Sequence, residues 1–423
     1  MEKFIEFLYS RFLLSDGVSI DTRTIRQGNL FFALSGPNFN GNQYASEALE
    51  KGASFAVVDD PSYAKGDQYI LAKNSLVALQ ELATFHRSRF RKPVFALTGS
   101  NGKTTTKELI NRVLARQYDV LATEGNLNNH IGVPLTLLKL HPQVEIAIIE
   151  MGASKVGDIA ELCGFANPTH GLITNIGHAH TATFGGITGV LRGKSELFDH
   201  LRKTAGFPFV NQLDPALQHM TKRFQTCDTY PAADLELVSY APFISFRLSD
   251  TVYESSIYGG YNFQNLAAAV AVGRHFGVPD HKIAEGICAY KPDNLRSQVV
   301  KKGEAHVIID AYNANPDSMR AALDVLSSSK GEKWVILGDM LELEDEAQQH
   351  RELGARLHEM GIDKILLVGP LMRFAAESAP GAVHVDQTEE LIPMLQGHSV
   401  GAATILIKGS RRMKLESLLE YIK

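Results

Sequence analysis

The chain opens on MEKFIEFLYSRF, where apolar residues recur at helical spacing around Glu2 and Glu6 and predict an amphipathic helix. Short apolar runs then alternate with helical segments. The first stretch predicts strands at 30–34 and 55–58 and helices at 44–51 and 75–90. The basic end of that last helix, Arg87, Arg89, Arg91 and Lys92, precedes Pro93 and suits a domain edge. Beyond it, strands are expected at 94–97, 144–149 and 171–173, with helices at 103–117, 132–140 and 156–164. That alternation implies a parallel sheet covered by helices, with ligands outside the strand carboxyl ends. Two alternating runs between 234 and 258, around Asp250-Thr251, predict an antiparallel hairpin on the sheet edge. Helices at 262–276 and 280–289 follow, and Pro292-Asp293-Asn294 is a linker candidate. A third stretch places strands near 305–309, 333–337, 364–368 and 403–407, with helices at 317–328, 346–360, 388–396 and 413–422. The expected fold is α/β in three domains: 1–92, 93–293 and 294–423.

The length, 423 residues, is enough for two or three sizeable cores, and 44% hydrophobic with 21% charged residues is ordinary for a globular chain. With 42 basic and 47 acidic residues the net charge is −5, which gives no electrostatic reason to expect nucleic acid. Cys163, Cys227 and Cys288 are scattered and odd in number, so a reducing compartment without a disulfide framework is expected. No signal peptide is apparent, and no apolar run approaches the roughly 20 residues of a membrane span. A cytoplasmic monomer is the expectation.

The strongest chemical signal is VFALTGSNGKTTT at 94–106. A strand, a glycine turn and a helix start make a phosphate cradle from Gly99, Ser100, Asn101, Gly102, Lys103, Thr104 and Thr105. Glycines admit the anion to backbone N–H groups, Lys103 can reach the terminal phosphates, and the Thr104 hydroxyl is placed for Mg2+. A strict Walker pattern would need glycine at Leu97, so the loop is a shortened form. Glu150 ends the apolar run VEIAIIE beside it, where a carboxylate must meet solvent, a cation or a metal.

Other positions carry weaker signals. His178 and His180 share a glycine-flanked loop after a strand, and Lys194 lies on a helix entering the same region. Asn126, Asn128 and Asn129, with Asn262 and Asn265, are amides near helix starts that could cap or read a base. Asp310, Tyr312, Asn313 and Asn315 end a strand, in a pattern that suits either a ribose and stacked ring or a simple Asx turn. Lys408, Ser410 and Arg411 form a second anion-friendly strand–turn–helix. Thr22, Arg23 and the loop Ser35–Gly41, with Asn40, read equally as an ordinary loop or a site for a phosphorylated substrate. Alone, these residues indicate a nucleotide- and Mg2+-using enzyme without identifying its reaction.

In order, TGSNGKTTTKE, Glu150, NIGHAH, YNFQN, DAYNANPDS, LGDMLEL with His350, and KGSRRM resemble the Mur ligases of peptidoglycan synthesis. YNANP with LGDM-E-L and the late KGSR is similar to the dipeptide-adding branch. The resemblance implies a central P-loop-type sheet, a Rossmann-like C-terminal domain and a smaller N-terminal substrate domain. It implies ATP, Mg2+, a UDP-N-acetylmuramoyl-tripeptide and D-alanyl-D-alanine, joined through an acyl phosphate. In that scheme Lys103, Glu150, His180 and Lys194 are the catalytic set. Thr104, Glu150 and His180 would ligate metal, joined by Lys194 if it is carbamoylated. Asn262, Asn265, Arg296, Asp310 and Tyr312 would hold ATP. Thr22, Arg23, Ser35, Asn40 and Gly41 would dock the UDP-sugar; Asn126, Asn128, Asn313, Asn315, Lys408, Ser410 and Arg411 would line the remaining substrate path. Thr22, Asn40, His130, Tyr261, Thr181 and Ala182 depart from the family's usual residues. Two other readings stand beside this one: a ligase of the same superfamily with another substrate, and a nucleotide-binding homologue without catalysis.

Overall fold

The computed structural model describes residues 2–240, 242–293, 295–396 and 400–422. Asn294, where the linker candidate ends and the third expected domain begins, lies outside the described residues. Among the described residues, four sheets organise the chain. The first is parallel and four-stranded, in the order 18–19, 30–32, 55–58 and 69–71. Helices Glu2–Leu13 and Ser75–Arg89 cover one face, and Ala45–Glu50 packs on the other.

The second sheet is also parallel, in the order 228–230, 207–211, 170–173, 94–98, 146–150 and 120–122. Val94–Thr98 is buried along its length, which is why it reads as an unbroken apolar run and not as an alternating one. Its neighbours 170–173 and 146–150 lie on opposite sides, so the loops after all three strands meet at one switch point.

The run 234–258 departs from expectation. It forms three antiparallel strands, Leu235–Ser239, Phe243–Leu248 and Thr251–Tyr258, in a sheet of their own and not a hairpin on the larger sheet's edge. Ile244, Phe246 and Leu248 alternate inward and join the core under helices Lys103–Leu114 and Phe263–His275. Burying that face, not extending the ladder, satisfies the strands.

The fourth sheet orders 298–302, 305–310, 403–408, 332–338, 364–368 and 383–385, with the first pair antiparallel and the others parallel. Separate apolar clusters fill its two faces. The expected C-terminal helices are tighter than foreseen: 388–391 is a 3-10 turn leading into 392–396, and 415–421 is 3-10 throughout. The α/β class holds across three units, the antiparallel sheet belonging with the second.

One apolar core crosses a unit boundary. Leu79 and Leu82 of helix Ser75–Arg89 belong to a cluster that includes Leu30 and Val57 of the first sheet and Val133, Leu137 and Ile159 beside the second. The Arg87 guanidinium is buried there too, donating to the carbonyls of Ala166 (2.6 Å), Phe90 (2.7 Å) and Asn167 (2.7 Å).

Candidate active site

The phosphate loop is held open from behind. Gly99 and Gly102 have φ of +149° and +78°, and a Cβ on either would lie 1.8 Å from Thr174 Oγ1 or 2.4 Å from Asn265 Oδ1. Only glycine fits this approach without displacing those groups. Ser100 N donates to the Asn175 carbonyl (3.0 Å), Asn101 N to Asn175 Oδ1 (2.9 Å), and Ser100 Oγ to the Gly177 carbonyl (2.9 Å). Thr174 and Asn175, the second noted in the sequence only as the head of NIGHAH, are therefore the loop's backing. Lys103 donates to the Gly99 carbonyl at 2.8 Å. Burial draws its pKa down to about 8, with Glu150 opposing and Arg296 reinforcing the shift.

Glu150 is 1% exposed. Its Oε1 accepts from Asn128 Nδ2 at 2.8 Å, and its Oε2 is buried without a hydrogen-bond partner. An unsatisfied buried carboxylate oxygen is costly and fits a cation that enters with the substrate. Among the described residues no group of three or more His, Cys, Asp or Glu could cage a metal. A single open carboxylate oxygen suits Mg2+, which keeps waters and takes phosphate oxygens beside one or two protein ligands. Thr104 is buried in the first turn of its helix.

His180 caps the short helix Thr181–Phe184 with φ of +58°, and its Nδ1 is hydrogen-bonded to Glu342 Oε2. Burial lowers its pKa, Glu342 opposes that, and Lys103 adds to it. Lys194 is 1% exposed, with Nζ 5.5 Å from the Phe184 ring centroid. Burial pushes its pKa well down, helped by Lys103 and opposed by Asp158.

Lys103, Glu150 and His180 border a cavity of about 1060 Å³ whose walls also include Asn126 and Asn128, with Arg296, Asp310, Tyr312, Asn313 and Lys408 from the fourth sheet's unit; Thr104 and Lys194 are buried and do not line it. The Arg296 guanidinium sits 3.8 Å over the Tyr312 ring. Asp310 accepts from Ser297 N (3.2 Å) and pairs with buried Lys408, which also donates to the Asn313 carbonyl (3.3 Å). Lys408 is thus committed to Asp310. Asn265 links Thr106 Oγ1 (3.0 Å) and Asn262 Oδ1 (2.8 Å), and Asn262 donates to the Tyr258 carbonyl (2.8 Å). Both amides border the cavity, but these bonds tie the phosphate-loop helix to helix Phe263–His275.

Asn315 borders the cavity too, but it caps helix Pro316–Ser327 and donates 2.7 Å to Asn101 Oδ1, so it also docks one unit on the phosphate loop. Some expected residues stand elsewhere. Ser410 and Arg411 do not line the cavity; Arg411 pairs with Glu416 at the surface. Thr22, Arg23, Ser35, Asn40 and Gly41 stay on the first unit, away from the cavity wall. Arg23 is 85% exposed along its side chain and bound to Asp21 at 2.6 Å, holding that carboxyl down to about 2. Ser35 Oγ accepts from Gly41 N (3.1 Å) and Asn40 Oδ1 from Asn42 N (3.0 Å), a preformed turn. Glu342 and Asp317, which reach His180 and His178, escaped sequence reasoning apart from their place in quoted motifs.

Comparison with known proteins follows the same division. The Mur ligase middle domain model matches residues 97–273, the Mur ligase glutamate ligase domain 295–411, and the Mur ligase family catalytic domain 15–87. The UDP-N-acetylmuramoyl-tripeptide–D-alanyl-D-alanine ligase of Bacillus subtilis is 35% identical, covering 96% of this chain and 92% of its own. Its Escherichia coli counterpart is 31% identical, covering 96% and 94%. A crystal structure of MurF from Acinetobacter baumannii matches with TM-score 0.85 at 31% identity, over 95% and 92% of the two chains. MurF from Thermotoga maritima in complex with ADP matches at 0.83 and 27% identity, over 97% of each.

Proposed function

Because this chain belongs to the Mur ligase family, we propose that it joins D-alanyl-D-alanine to the terminal carboxylate of UDP-N-acetylmuramoyl-tripeptide. ATP is the phosphoryl donor, an acyl phosphate the activated form, and ADP and phosphate the products. Relatives bearing that activity in their names match nearly end to end, which favours it over a superfamily ligase with another substrate. The observation that carries the catalytic reading is the unpartnered Glu150 Oε2 beside Lys103, on the same cavity as His180 and Arg296.

Such chemistry needs charge neutralised on the transferring phosphoryl group more than it needs a covalent nucleophile. Lys103 would hold the β and γ phosphates at the helix mouth. Glu150 and the Thr104 hydroxyl would hold Mg2+, with His180 on a second ion; bound there, Mg2+ supplies neutralisation of the phosphate oxygens. Burial and Lys103 disfavour the charged Lys194 ammonium; addition of carbon dioxide to its neutral amine, with loss of a proton, would give a carbamate anion able to join that set. Asn262 and Asn265 would border the adenine, and Arg296, Tyr312 and Asp310 the remaining nucleotide.

The acceptor is long. Its UDP end can rest on Thr22, Arg23, Ser35, Asn40 and Gly41 of the first unit while its peptide carboxylate passes Asn126 and Asn128 to the phosphate loop. Asn313 and Lys408 would form the opposite wall. The three cysteines are free, which suits the reducing, cytoplasmic compartment we propose for it. Among the described residues no helix is long and apolar enough to cross a membrane.

A phosphate-release assay tests the assignment. Release is expected only with ATP, Mg2+, the UDP-linked tripeptide and D-alanyl-D-alanine together. Equal turnover with the dipeptide omitted, or replaced by a single amino acid, would refute it.

A further inference from the structure

His180 borders the cavity and Glu342 does not, yet the two side chains meet across the seam between the central unit and the fourth sheet's unit. A carboxylate at Nδ1 makes that nitrogen the proton carrier, so the ring's tautomer is fixed and the Nε2 lone pair is left free. The grip extends to the backbone. Ala182 N donates to the Glu342 carbonyl (3.3 Å), and Glu344 N to Thr181 Oγ1 (3.3 Å). Neither residue is glycine, yet His180 has φ of +58° and Glu342 of +64°. Left-handed backbone at both ends of one contact has to be held by its surroundings, and such conformations gather at functional sites. An exposed ion pair adds little stability, so stitching the seam is a poor reason for this arrangement.

We propose that Glu342 is a positioning residue: it orients the His180 imidazole from across the seam and completes that side of the site only when the two units are docked. This rests on the carboxylate-activating reading of the cavity. Docking of the fourth sheet's unit thereby becomes a condition for a competent His180, in addition to its supplying Arg296 and Tyr312.

The test uses ring 15N NMR of the full chain without ligands, with the His180 signals identified by loss in His180→Asn. The wild type should show the Nδ1–H tautomer. Glu342→Ala should lose that bias, and Glu342→Gln, whose amide oxygen still accepts from Nδ1, should keep it. In ligation assays Glu342→Ala should lower kcat by about 10- to 100-fold, the usual cost of removing such a partner, with the ATP KM within about twofold. Glu342→Gln should recover most of the loss. A wild-type His180 carrying its proton on Nε2, or an unchanged kcat in Glu342→Ala, overturns the proposal. The expected tautomer in a chain that ligates nothing would uphold the positioning and sink the activity.

Discussion

His350 shows how a histidine in a recognisable motif can serve the fold. It is fully buried, its Nε2 accepts from Met340 N (3.1 Å), and its Nδ1 donates to the Glu346 carbonyl (2.6 Å). This fixes the turn after strand Glu332–Gly338 and leaves no room for a second ring proton. Burial lowers its pKa below the ordinary 6.5. Below that value the unfolded chain takes up a proton that the folded chain refuses. The unfolded state then binds more protons, so stability rises with pH through this window and is lost on acidification. His350→Gln should flatten the stability–pH slope below pH 6.5 by up to about 1.4 kcal/mol per pH unit, one proton's worth. Denaturant unfolding at several pH values measures it; an unchanged slope would show that other histidines set the acid limit. Residue roles split in the same way elsewhere. Lys103 and Glu150 were legible because a helix start and a strand end fix where they stand, whereas Glu342 meets His180 over 162 positions that no local spacing encodes.

At the level of elements, Ser75–Arg89 was legible as a helix, but its basic end was not all surface. Arg87 turns inward because three carbonyls at a helix end and a neighbouring loop need donors that a guanidinium supplies at once. Burial draws even this group down to about 10, with Arg91 contributing. Replacing it by Met would keep the stem and orphan those carbonyls. We expect Arg87→Met to cost about 3 kcal/mol, visible as a lower denaturant midpoint. A midpoint equal to wild type would mean that water or a shifted backbone replaces the donors. Strands buried on both faces, such as 94–98 and 364–368, were legible as apolar runs. The pieces at 18–19, 120–122, 228–230 and 383–385 were not, because two or three residues carry no period.

Across the whole molecule, the fourth sheet's unit touches the phosphate loop at few points. Asn315 reaches Asn101, and Asp317 receives His178 N at 2.6 Å and approaches His178 Nδ1 at 3.1 Å. These polar contacts at a helix N-terminus form a latch of modest strength. The paired variant Asn315→Ala, Asp317→Ala should enlarge the ligand-free radius of gyration in small-angle scattering. It should also raise the ATP KM several-fold, equivalent to about 1 kcal/mol. An unchanged radius and KM would show that these two residues do not hold the units together.

The apolar core shared by the first and second units has a different consequence. Leu79 and Leu82 lie in one packed interior with Leu30 on one side and Val133 and Leu137 on the other. The first unit, proposed to dock the acceptor, is therefore not a cassette. A chimera that imports it from a relative brings a helix whose inner face was shaped against another protein's sheet, and voids or clashes follow unless residues 133 and 137 travel too. Exchange at the fourth sheet's unit meets a polar seam instead, where mismatched side chains can still find water.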